Sequence, residues 1–149
     1  MDTGDKISND IEIYNDENKY LTRSSLFFLL PGIHGIYRKK YMLSSVLLIG
    51  PLVSYKYWSK PRNDIWRNAD MICANLGMGL FIGNSAWNIH VPAYKYVIGS
   101  FYLTGGLCYL YGTHQHKQRN KLWYLYHGAM HAMMWLGHSL NICATPMTP

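Results

Sequence analysis

Acidic side chains almost disappear after the first 22 residues. Six of the eight acids (Asp2, Asp5, Asp10, Glu12, Asp16 and Glu17) lie in residues 1–22 beside two bases, a net charge of −4. Residues 23–149 hold twelve bases against Asp64 and Asp70 alone, a net charge of +10. Cysteine is also scarce. Cys73, Cys108 and Cys143 stand far apart with no CxxC, which supports neither a thiol zinc site nor a disulfide framework. No P-loop and no GxGxxG occurs, so nothing marks a nucleotide-binding enzyme. The N-terminus lacks the apolar stretch of a cleavable signal peptide, and the first apolar run is expected to serve as the insertion signal.

The mean hydropathy of −0.11 suggests a soluble chain, but it averages two unlike regions. Residues 1–22 have too few large apolar groups to fold alone and read as a disordered tail or a short surface helix. Residues 23–149 read as one domain of five apolar runs, at about 24–37, 41–58, 69–87, 93–112 and 122–143. Each of the last four has about the length that one helix needs to cross a bilayer. The first, of 14 residues, would cover only roughly 21 Å and contains Pro31, Gly32 and Gly35; it fits a short tilted span or a re-entrant hairpin. Gly50-Pro51 is expected to kink the second run, and Gly77, Gly79 and Gly83 to admit neighbouring helices closely in the third. Tyr and Trp gather at the run ends (Tyr41, Trp58, Trp87, Tyr94, Tyr111, Trp123), the pattern of an interfacial belt. The expected fold class is all-α: a polytopic transmembrane bundle of about five short helices behind an acidic tail.

Basic residues stand in short patches between the runs, at 38–40, 60–67 and 117–121. Loops flanking membrane spans look like this, whereas a nucleic-acid surface places a basic stripe on one folded face; no nucleic-acid partner is expected. With five spans, one side carries Arg23, Lys60, Arg62, Arg67, Lys117, Arg119 and Lys121, the other Arg38, Lys39, Lys40 and Lys95. The positive-inside rule then puts the N-terminus in the cytoplasm and the C-terminus outside. Lys56 and Lys95 lie near span ends, where snorkelling accounts for them.

Ionisable groups inside a membrane are costly and need a reason. Asp64 follows Pro61 and Asn63 and reads as a helix cap. Asp70 opens the third run, with Arg67 at i−3 as an ordinary ion-pair partner. The fifth run carries His127, His131 and His138. At about 100° per residue they share one helix stripe, and His at i and i+4 can grip one metal ion. His138 lies about 10 Å beyond His131, out of reach of that ion. Interhelical hydrogen bonding explains the same stripe without a metal. In alternating topology Ser54, Asp70, His127 and His131 all fall near one membrane face. His90, His114 and His116 fall in expected loops and carry no assigned role.

Ser54-Tyr-Lys-Tyr-Trp58, then Asp70 on the next helix, then His127-xxx-His131 on the last, resembles the CREST superfamily of membrane hydrolases. That group includes alkaline ceramidases, adiponectin-receptor-type proteins, GPI-remodelling lipases and myomaker-like proteins. The resemblance covers residues 40–142. It implies zinc at His127 and His131, with Ser54 and Asp70 as the catalytic polar pair beside the metal-activated water that attacks a lipid amide or ester. Two positions of the pattern differ here. Trp58 stands where the family has its first zinc-binding His, and the chain has about five spans where the family has seven. Asp70 or His34 would have to supply the third ligand. Two other classes compete: a non-enzymatic membrane subunit, scaffold or lipid-binding remnant of that fold, and the less favoured bis-imidazole haem ligation pairing His127, His131 or His138 with His34. Expected partners are membrane lipid and either a membrane-protein partner or a second copy of the chain. The Met130, Met133 and Met134 stretch suits a helix face packed against lipid or a partner.

Overall fold

Proline and the aromatic pattern decide how the first apolar run folds. The computed structural model describes residues 17–60, 65–118 and 120–147. Asp64, Arg62, Arg119 and most of the acidic tail lie outside them, so the capping role expected for Asp64 falls there too. Helix α1 spans Glu17–Leu26 and α2 spans Leu29–Tyr37. Residues 17–22, read above as tail, are thus helical, because Leu21 buries all but 1% of itself against Tyr57, Trp58 and Trp123. Pro31 has no N–H to give the Phe27 carbonyl, and its ring crowds that carbonyl. The chain turns at Phe27 and Phe28 instead, through bonds from their N–H groups to the Ser24 and Ser25 carbonyls. Together α1 and α2 form one broken rod. It runs over 21 residues, from Glu17 to Tyr37.

Helix α3 spans Tyr41–Ser59, α4 Ile65–Asn88, α5 Pro92–Lys117 and α6 Trp123–Ala144. Among the described residues every regular element is helical. Helix α3 continues through Gly50-Pro51. Helix α5 runs past 112, so His114 and His116 sit on its last turn rather than in a loop; His90 is in the α4–α5 connection. Of the three glycines expected to admit neighbours, only Gly77 does so, with Val46 of α3 against it; a side-chain atom on Gly79 would meet open space and on Gly83 only Trp87 of the same helix.

The rods alternate in direction and share two ends. At the Trp58 end, α1 and the C-terminus of α3 meet the N-terminus of α6, with Tyr20 stacked on Tyr124 and Trp58 on Trp123. The start of α4 joins them through Lys56, whose ammonium lies over the Trp66 ring. At the Asn84 end, Arg38 after α2 donates to the Cys143 and Thr145 carbonyls, and Lys95 of α5 donates to Ala86 of α4. Helix α6 runs between the others. His131, Met134, His138, Asn141 and Thr145 are all buried along it, and with half-buried His127 they recur at alternating intervals of four and three, one side of a helix.

No described helix is long and apolar enough to cross a membrane. Helix α6 alone carries three histidines, two tryptophans and two tyrosines in 22 residues, and these side chains depress mean hydropathy.

Candidate functional site

The i,i+4 pair His127 and His131 does come together. Their ring centroids are 5.0 Å apart, edge to face. His127 also meets the edge of Trp58 at 5.1 Å and lies 6.2 Å from both Trp123 and Tyr109. Trp58, at the sequence position where the resemblance calls for a third imidazole, thus packs against His127. Its indole Nε1 is buried and has no hydrogen-bond partner among the described residues.

Helix α1 supplies what sequence reading missed, a serine that orients His131. The Ser24 hydroxyl lies 2.7 Å from His131 Nδ1 and 3.1 Å from the Leu21 carbonyl. One proton arrangement satisfies both: the hydroxyl donates to Leu21, and His131 Nδ1–H donates to Ser24 Oγ. The lone pair of His131 is then on Nε2. Phe28, at the break between α1 and α2, packs edge-on against the same ring at 5.8 Å.

Ser54 is buried one turn before Trp58 on α3. Its hydroxyl faces the Asp70 carboxylate across the α3–α4 contact. Asp70 stands in the second turn of α4, not at its start, because α4 begins four residues earlier than the apolar run. The expected polar pair thus exists. Among the described residues, however, no three His, Cys, Asp or Glu side chains gather to hold a metal.

His34 is not available to complete the site. Its Nε2 lies 3.7 Å from Cys143 Sγ at the Asn84 end and its ring packs near Tyr37, far along α6 from His131. The same placement takes His34 away from the haem pairing with His127 or His131. The residues present do not make the three-ligand zinc cradle the resemblance implies, so no reaction step is derived through a metal. All three cysteines are free thiols.

His138 belongs to a different cluster. Asn141, fully buried, donates to the Phe81 carbonyl at 2.9 Å and to the Tyr102 hydroxyl at 3.4 Å. Tyr102 in turn lies 3.1 Å from His138 Nδ1; having accepted from Asn141, it donates there, which places the His138 proton on Nε2. Asn84 donates to the Asn141 side-chain oxygen and to Thr145 Oγ1, and Asn88 donates to Asn84. Phe81 packs on the His138 ring at 4.0 Å. This chain of amides ties α4, α5 and α6 together. Its signal was in the sequence: the three-and-four spacing of the histidines continues through Asn141 to Thr145.

No family model, curated protein or solved structure matches this chain.

Proposed function

We propose that the chain is a multi-pass membrane protein whose Trp58–His127–His131 site binds a membrane lipid without hydrolysing it. The observation that carries this is the Trp58 indole: packed against His127, it presents a buried N–H without a hydrogen-bond partner among the described residues, suited to an acceptor such as a lipid ester carbonyl. Reduction of the site to binding agrees with the non-enzymatic remnant expected as one outcome of the CREST resemblance.

The membrane setting rests on polarity turned inside out. Ile33, Leu52, Leu76, Leu103, Leu107 and Leu110 are exposed on four helices, while His131, His138 and Asn141 are buried. In α6, hydropathy averaged over the whole helix counts those inward polar groups and so understates its outer face. An exposed apolar surface this wide marks contact with lipid or a partner, and intramembrane polar groups face the bundle interior. Alkaline carbonate extraction of expressing cells tests this: the protein stays with the membrane pellet, and its release into the supernatant sinks the reading. The positive-inside count favours a cytoplasmic Trp58 end, and cleavage of the 113–121 loop by protease added outside intact cells would reverse it.

The hydrolase alternative keeps one favourable observation, the Ser54 hydroxyl facing the Asp70 carboxylate between α3 and α4. Zinc analysis of detergent-purified wild type against His131→Ala separates the two readings. Binding without a metal predicts equal, substoichiometric zinc in both proteins; one zinc per wild-type chain, lost in the variant, would favour hydrolysis.

A further inference from the structure

At the Asn84 end, a cavity of about 510 Å³ opens between the α2–α3 turn, the C-terminus of α4 and the segment after α6. Lys39, Lys40, Tyr41, Asn88 and His90 line it, and no carboxylate does among the described residues. The turn that presents Lys39 is unusual. Lys40 N–H bonds to the Gly35 carbonyl and Lys39 N–H to that of Ile36, the paired bonds of a Schellman helix end. Its left-handed position is normally glycine, because an L side chain there is strained. Here it is Lys39, at φ 56° and alone among the described non-glycine residues in having positive φ.

Two neighbouring cations already hold carbonyls. Arg38 caps the α6 carbonyls, and the Lys40 ammonium bonds to the Pro146 carbonyl. Partial burial and the adjacent Arg38 push Lys40 below the usual lysine range. Lys39 is exposed and projects its charge to the cavity. Asn88 gives one amide proton to Asn84 and keeps the second.

A strained residue that is cheaper as glycine points to a use for its side chain. We propose that this cavity binds a phosphate-class anion, with Lys39 as its principal ion pair and Lys40, Asn88 and His90 as further donors. Inorganic phosphate and a phospholipid headgroup offer the same chemistry, so the test has two arms. In one, inorganic phosphate is titrated by calorimetry into protein in a zwitterionic detergent, against chloride at equal ionic strength. In the other, native mass spectrometry counts phosphatidic acid retained from phosphatidylcholine nanodiscs.

Wild type binds in at least one arm, and Lys39→Gly weakens that binding about tenfold. Without ligand the same variant melts a few degrees higher, because the strain is gone. Binding in the lipid arm alone assigns a headgroup; binding in both shows that a free anion suffices. Lys121→Gln, which removes one charge from the opposite end, leaves binding unchanged. Absence of binding in both arms overturns the proposal, as does undiminished binding by Lys39→Gly or an equal loss with Lys121→Gln.

Discussion

The two ends of the bundle solve opposite problems with similar building blocks. At the Trp58 end, aromatic rings close around the histidine pair and a helix is laid over them: Leu21 and Ser24 of α1 reach Trp58 and His131. At the Asn84 end, short amides and hydroxyls cross-link three helices and leave a cavity beside them. Ring packing tolerates substitution of one flat side chain for another. An amide network has no such latitude, since each donor needs its own acceptor. The comparison teaches that the chemically suggestive end is the one that can drift, and that the structural end cannot.

The largest effect is expected from restoring the missing imidazole. Trp58→His should raise bound zinc from well below one ion per chain to about one, with His127 and His131 as co-ligands. Elemental analysis of folded, purified variant is the check; unchanged zinc would separate the Trp58 end from the family's metal arrangement altogether. At the other end, Asn141→Leu should destabilise the fold by about 3 kcal/mol, because buried partners on α4 and α5 lose their bonds together. Thermal unfolding in detergent measures it, and a loss below about 1 kcal/mol would mean the amide network is dispensable.

A smaller penalty is expected at Gly137, where an added Cβ would run into the Tyr102 ring. Gly137→Ala should cost about 2 kcal/mol by overpacking, and much less when it is introduced into a Tyr102→Leu background. If the cost is the same in both backgrounds, the close approach is not what glycine serves. Least of all, Ser24→Ala should cost about 1 kcal/mol and free the His131 tautomer. Nitrogen-15 shifts of the His131 ring report this directly, and an unchanged ring would show that α1 does not orient it.

The sequence made α3 to α6 legible because each is an apolar run bounded by polar, glycine or proline-containing connections. It hid α1, whose ten residues are polar overall and which becomes a helix only because Leu21 finds a tertiary pocket. The histidine stripe was readable from its spacing, and so was the convergence of Ser54 with Asp70. The destination of His34 was not. A 109-residue separation from Cys143 is settled by which rods lie side by side, and no local pattern encodes that. Asn141 escaped notice for a simpler reason: an asparagine does not announce chemistry, although it sits on the same stripe as the histidines.

Because α6 is the shared neighbour of α1, α2, α4 and α5 and follows all of them in the chain, the assembly is completed late in time. Until those 22 residues leave the ribosome, Ser24, Phe81 and Tyr102 have nothing to close on, and the earlier helices surround a gap. Synthesis, not only equilibrium, therefore shapes this molecule's hazards. A stalled or prematurely terminated chain would be a set of hairpins without a centre, the kind of incomplete species that quality-control machinery meets first.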